Sequence, residues 1–297
     1  MPSLRARMMK PIVRIMGRQL STGETAEAIR SEYNHWTKTL LRPGGVHSET
    51  IKIAGQDCLR SIPKGARKDC ILLYFHGGGY VFGSLTGHRS LAERFAKAAG
   101  VAAYMPDYRQ APEHPYPAAL EDARAIYEEL LTSYDASQIA LGGDSAGGGL
   151  SLALMHQLRD EGRPMPTSAF LLSPWTDLTL QGKSYTTNAA TELVVPHPLP
   201  EATAAFYAGD TPRGHPGVSP LFASQAGLPP LLVQISTNEI LLDDAKGIVN
   251  QARAAGVTVQ YEPYDDMWHD WHMMAPIVPE ANQAIRSIGQ FVQKYLP

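Results

Sequence analysis

Ser145 is set where a serine can become a nucleophile. The apolar run Ile139-Ala140-Leu141 stops at Gly142-Gly143-Asp144-Ser145-Ala146-Gly147-Gly148-Gly149, with small residues on both sides of the hydroxyl. A strand turning sharply into a helix forces its turn residue into a strained conformation, and glycines such as Gly143 and Gly147 let the chain pass close by. Glycine-rich loops produce a G-x-S-x-G spacing by chance, so its company matters. Upstream, Ile71-Leu72-Leu73-Tyr74-Phe75 runs into His76-Gly77-Gly78-Gly79. Glycines leave backbone N–H groups unobstructed, and each such donor aimed at a developing oxyanion contributes about 10²–10³ in rate. The two motifs together point to acyl transfer.

A parallel sheet is needed to hold them. Strand candidates at 70–75, 101–105, 138–141, 168–172, 231–236 and 258–261 alternate with helical runs that include 91–99, 118–131 and 243–255. Strands separated by helices imply crossover connections and a sheet covered on both faces. After Ser145, Leu150, Leu152, Ala153, Leu154 and Leu158 recur at helical spacing until Gly162. Ahead of this region, 48–53 and 57–61 read as an antiparallel pair turning at Gly55, and residues 1–45 read as two helices, the second led in by Thr22-Gly23-Glu24. Six prolines interrupt 181–226, where one short helix is expected near 201–207.

With Asp107-Tyr108-Arg109-Gln110-Ala111-Pro112-Glu113 and Ser173-Pro174-Trp175-Thr176-Asp177 added to these motifs, the chain from roughly residue 45 to 297 resembles the bacterial hormone-sensitive-lipase-like (family IV) carboxylesterases. Gln110 departs from that pattern, which usually has leucine there. The resemblance implies the α/β-hydrolase fold: α/β class, a mostly parallel central sheet of about eight strands flanked by helices, with a helical lid. It implies N-terminal lid helices in 1–45 and a catalytic domain in 46–297, with 181–226 contributing to the lid.

A serine hydroxyl needs a base, and histidine, with an ordinary pKa of about 6.5, suits that task. In the elbow architecture the order is Ser, acid, His, which leaves His156, His197, His215, His269 and His272. His156 falls in the helix directly after the serine, and His197 and His215 in the proline-rich segment. The remaining stretch, Met267-Trp268-His269-Asp270-Trp271-His272, resembles the family's histidine loop, and residue by residue His269 takes the catalytic place. His269 and His272 also have a spacing open to a metal pair, but no third ligand is motif-linked to them, so no metal and no cofactor is expected. The oxyanion donors implied are the N–H groups of Gly78, Gly79 and Ala146, with His76 bracing the loop.

The acid also follows from the resemblance. In Ser236-Thr237-Asn238-Glu239-Ile240-Leu241-Leu242-Asp243-Asp244, Glu239 occupies the family's acid position, while Ser236 replaces the usual glycine. Asp243 and Asp244 are rivals. They begin the next helix, where acids complement the macrodipole by about 0.3–1 kcal/mol each, and that role accounts for them.

With 19% charged residues and a net charge of −3, the chain shows no broad basic surface for nucleic acid. Cys58 and Cys70 read as small apolar residues in strands, and the lack of a disulfide framework suits a cytoplasmic location. Near the N-terminus, Arg5, Arg7, Lys10, Arg14 and Arg18 share a helix-like stretch with Leu4, Met8, Ile12, Val13, Ile15 and Met16. Such a segment fits a targeting peptide, a membrane-surface helix or, as the resemblance implies, a lid helix whose apolar face covers the pocket. No stable membrane insertion is expected, since no apolar run reaches spanning length. The function expected is hydrolysis of short- to medium-chain carboxylic esters, acetyl to octanoyl, with small-molecule esters as partners and a homodimer left open. The alternatives are an amidase or deacetylase on the same triad, and a non-catalytic small-molecule receptor on the same fold.

Overall fold

A computed structural model of the chain describes residues 2–21 and 25–297; Thr22, Gly23 and Glu24 lie outside the described residues. Strands β1 (Val46–Ile53) and β2 (Gln56–Pro63) form an antiparallel hairpin. Its turn residues Ala54 and Gly55 both take positive φ, 48° and 79°, the twist that a tight two-residue hairpin needs. Strand β2 also pairs antiparallel with β4 (Val101–Pro106). From β4 onward the neighbours are parallel: β3 (Arg67–Phe75), β5 (Ile139–Asp144), β6 (Ser168–Leu172), β7 (Leu231–Ser236) and β8 (Val259–Tyr264). The eight-stranded order is β1-β2-β4-β3-β5-β6-β7-β8.

Alternation along β3 explains the two-sided core. Ile71, Leu73 and Phe75 face one layer with α4 (Ala118–Leu130), α5 (Ala146–Asp160) and α8 (Leu242–Ala254). Cys70, Leu72 and Tyr74 face the other, with α3 (Arg89–Ala99) and α9 (Pro279–Tyr295). A strand buried on both faces reads as a continuous apolar run, which is why 70–75 is legible. Strand β5 runs further than its apolar run at 138–141. Gly142–Asp144 still pair with β6, and a Cβ at Gly142 would meet the Phe170 ring at 2.2 Å, so glycine is a packing requirement inside the strand.

The carboxyl ends of β3, β5 and β7 and the loop after β8 converge at one edge of the sheet, where open α/β sheets place their sites. Over this edge lie α1 (Leu4–Ser21), α2 (Ala26–Thr37) and the 181–226 segment with α6 (Ser184–Thr187) and α7 (Leu199–Ala208). The short helix expected at 201–207 is α7, begun earlier because Pro200 fits its first turn. Helix α2 starts at its own cap, the Thr25 hydroxyl accepting the Ala28 N–H at 3.2 Å. Arg30 anchors α2 to the body: it donates to Val81 O at 2.7 Å and Ala111 O at 2.8 Å and forms an ion pair with Glu113.

Candidate active site

Ser145 sits between β5 and α5 with φ 51° and ψ −120°, a conformation that L-residues adopt only under constraint. The constraint is close packing. A Cβ on Gly143 would lie 2.2 Å from Gly147 O, and one on Gly147 would lie 2.0 Å from Phe75 O. Nothing larger than glycine fits either place, so the elbow is written into the sequence as glycines.

The H-G-G-G loop leaves β3 and bends back at Gly78, whose φ is 115° and whose carbonyl accepts the Val81 and Phe82 N–H groups at 3.0 and 2.8 Å. Among the described residues, the Gly78 and Gly79 N–H groups have no acceptor. Ala146 opens α5, where a first-turn N–H has no intrahelical partner. The three expected oxyanion donors are therefore uncommitted. His76 is turned away from them: its Nδ1 contacts Gly77 O at 2.7 Å and its ring stacks on Tyr108 and His88. Burial, with His88 close by, lowers its pKa to about 3, so it is a neutral brace. Asp144 clamps the same loop, accepting the Gly77 N–H at 3.0 Å and the Tyr74 hydroxyl, with His88 Nε2 at 3.5 Å.

The expected base and acid come from separate elements and are in contact. Glu239, in the turn after β7, places Oε2 2.7 Å from His269 Nδ1. Its Oε1 accepts the Ser236 N–H at 2.7 Å and the Ser173 hydroxyl at 2.8 Å, so the fully buried carboxylate is oriented from three sides. His269 and Ser145 line one cavity of about 250 Å³, together with Gly78 and Gly79. Burial disfavours a charged His269, yet the carboxylates of Asp270 and Glu239 prevail and raise its pKa to about 10. His272 points elsewhere, its Nε2 2.9 Å from Gln234 Oε1, and burial lowers its pKa to about 3.

Asp243 and Asp244 do more than complement a helix dipole. Asp244 Oδ2 accepts the Thr176 and Asp177 N–H groups at 2.8 and 2.7 Å, holding the S-P-W-T-D segment. Burial lifts its pKa to about 8 despite those bonds. Asp243 accepts the Ser184 N–H at 2.9 Å. Neither contacts His269. Asp177 makes a local turn with Thr179, and His156 pairs with Gln225 at 3.0 Å. Trp175 lines the cavity and donates to the Tyr185 hydroxyl at 3.0 Å.

Two residues escape sequence reasoning. Buried Glu192 accepts the N–H groups of Leu193, Val194 and Val195 through Oε1 and that of Ile240 through Oε2, tying the 181–226 segment to the Glu239 turn. Asp270 takes positive φ, 52°, and lines the cavity beside Asp144. The remaining wall is mostly apolar, with Met9, Val13 and Met16 of α1, Tyr33 and Trp36 of α2, and Val194 and Leu199 beyond, and takes in Thr37, Thr39 and Thr203.

Residues 72–273 match the family described as alpha/beta hydrolase fold, and this chain belongs to it. Within that fold it is one of the bacterial hormone-sensitive-lipase-like proteins. An esterase of the bacterial hormone-sensitive lipase family has a solved structure that superposes with TM-score 0.96 at 41% identity, covering 100% of both chains. An acetyl-hydrolase of Streptomyces hygroscopicus is 41% identical over 239 residues, 80% of either chain. An esterase of Acinetobacter venetianus is 36% identical, covering 84% of this chain and 80% of its own.

Proposed function

We infer that this chain is a carboxylesterase, a serine hydrolase that cleaves short- to medium-chain carboxylic esters through an acyl-enzyme. One observation carries the assignment of roles: the 2.7 Å Glu239–His269 pair opens into the same cavity as Ser145. Ser145 Oγ attacks the ester carbonyl while His269 Nε2 takes its proton, and the oxyanion is held by the Gly78, Gly79 and Ala146 N–H groups. Collapse expels the alcohol, which leaves with the proton from His269. Water, deprotonated by the same nitrogen, then attacks the acyl-serine and releases the acid. Glu239 holds the working tautomer and stabilises the imidazolium.

Helices in residues 1–45 and the 181–226 segment act as the lid, a reading supported by the apolar side chains that they contribute to the cavity. At about 250 Å³ the cavity is smaller than the roughly 300–1,000 Å³ of pockets for drug-sized ligands, which favours acyl groups from acetyl to octanoyl. The two free, buried cysteines suit a cytoplasmic, reducing location, and no described helix is long and apolar enough to cross a membrane. A homodimer remains compatible with this reading.

Turnover of p-nitrophenyl acetate and butyrate, lost in Ser145→Ala, tests the assignment. Saturable ligand binding without turnover would make the protein a receptor on this fold. Anilides cleaved as fast as the matching esters would make it an amidase.

A further inference from the structure

Helix α1 carries two apolar stripes: the inner one packs on the body and the cavity, and the outer one reaches the cavity only through Ile12. Ala6, Val13 and Leu20 are buried and Met9 and Met16 line the cavity, which accounts for the inner face. On the outside, Leu4 and Met8 are 64% and 67% exposed, and Ile12 and Ile15 are exposed as well. At 3.6 residues per turn these four side chains fall within an arc of about 80°, too narrow to be scatter. The stripe continues into the cavity mouth, where Ile12, Leu41 and Ile277 are both exposed and cavity-lining. Six of the seven large exposed hydrophobic side chains among the described residues lie on this one face, with Phe222 the exception.

Charge identifies what covers the stripe. Helix α1 holds Arg5, Arg7, Lys10, Arg14 and Arg18 and no acidic residue. With five cations on α1 and a total of −3, the remainder of the chain carries −8. Lys10 is engaged by Asp266; at 3.6 residues per turn exposed Arg5 falls about 20° beyond Ile12 at one border of the apolar stripe, and exposed Arg7 and Arg14 flank its other side, about 60–80° beyond Leu4. Such a charge asymmetry turns the α1 face toward an anionic surface. Two copies meeting stripe to stripe would instead oppose their arginines.

We propose that the outer face of α1, with Leu41 and Ile277, docks the protein on anionic lipid surfaces, so that the cavity mouth opens toward the membrane and receives amphiphilic esters from it. The substrate source rests on the esterase reading; the docking itself does not. An arginine near an anionic leaflet strengthens partitioning about fivefold.

The test is co-sedimentation of the full chain with vesicles of equimolar phosphatidylglycerol and phosphatidylcholine, against pure phosphatidylcholine, at low and high salt. Expected is binding to the anionic vesicles that fades with salt, shared by Ser145→Ala, which separates docking from catalysis. Arg7→Gln with Arg14→Gln should weaken it about 25-fold. Leu4→Ser, Met8→Ser and Ile15→Ser together should abolish it while turnover of soluble p-nitrophenyl butyrate stays unchanged, since none of the three lines the cavity. Sedimentation no greater than without vesicles, or undiminished in the triple variant, would overturn the proposal. So would a lipid-free dimer that the triple variant dissolves, which would assign the stripe to a second copy.

Discussion

Asp270 Oδ2 lies 3.2 Å from His269 Nε2, the ring nitrogen opposite the one held by Glu239. The imidazole therefore has a carboxyl group at each nitrogen, with the Glu192 carboxyl nearby; burial pushes Asp270 and Glu192 themselves upward, Asp270 the more strongly because Asp144 and Glu239 lie close to it. Burial works against the charged ring, but these carboxylates outweigh it, and His269 is raised to about 10. A base must be neutral, so kcat/KM should still climb with pH above the ordinary histidine range of about 6.5. Sequence alone points to a limb at roughly pH 6 to 7. Asp270→Asn removes the titrating carboxyl at Nε2 and with it that group's pull on the imidazolium, so the acid limb should move down. A pH profile of the variant that coincides with the parent's would contradict this.

The acid assignment separates in a pair of isosteric variants. Glu239→Gln keeps the shape of the turn but cannot hold the imidazolium, and kcat should fall by about 10⁴. Asp243→Asn retains an oxygen for the Ser184 N–H, so its effect should be a loss of about 0.5–1.5 kcal/mol in stability with kcat near the parent's. Steady-state kinetics and denaturant titration on both variants check this, and the reverse pattern would move the acid to Asp243.

Much of this site is legible in the sequence because its parts are local. The elbow needs Gly143 and Gly147 on backbone grounds alone, and β3 and β5 announce themselves as apolar runs that stop where the motifs begin. The long-range ties are not legible. Arg30 to Glu113, Asp244 to Thr176 and Glu192 to Ile240 join residues 83, 68 and 48 positions apart, and no spacing rule connects them. The helix-dipole account of Asp243 and Asp244 is incomplete for the same reason. Of the six apolar residues that mark α1 in the sequence, Val13 and Met16 turn to the cavity while Leu4, Met8, Ile12 and Ile15 are exposed, a division that periodicity alone does not make.

Gly78→Ala should show how much the H-G-G-G loop contributes. An added Cβ would lie 2.1 Å from Phe82 O at a φ of 115°, so the loop must shift and its donors with it. The expected loss is about 10²–10³ in kcat, with a smaller change in KM. A folded variant, verified by circular dichroism, with unaltered kcat would remove this loop from the oxyanion site.

Arg30→Ala should loosen α2 without touching the triad. Its charged hydrogen bonds, discounted for the half-exposed Glu113, suggest a loss of about 1–2 kcal/mol. Because Tyr33 and Trp36 of α2 line the cavity, KM should rise more than kcat falls. Thermal melting and Michaelis–Menten curves measure the two effects. A fall in kcat alone would place Arg30 in the chemistry instead.

Acyl-chain length tests the size of the cavity. Rates on p-nitrophenyl esters should fall sharply beyond decanoyl, as the cavity of about 250 Å³ fills. Equal or faster hydrolysis of long-chain emulsions would make this a true lipase.

The most direct measurement is covalent capture. A fluorophosphonate should label the folded protein once, at the Oγ of Ser145, with loss of all esterase activity, as read by intact mass and peptide mapping. Ser145→Ala should take up no label, and His269→Ala should take it up far more slowly. A label on another residue, or esterase turnover that survives in Ser145→Ala, would contradict the account.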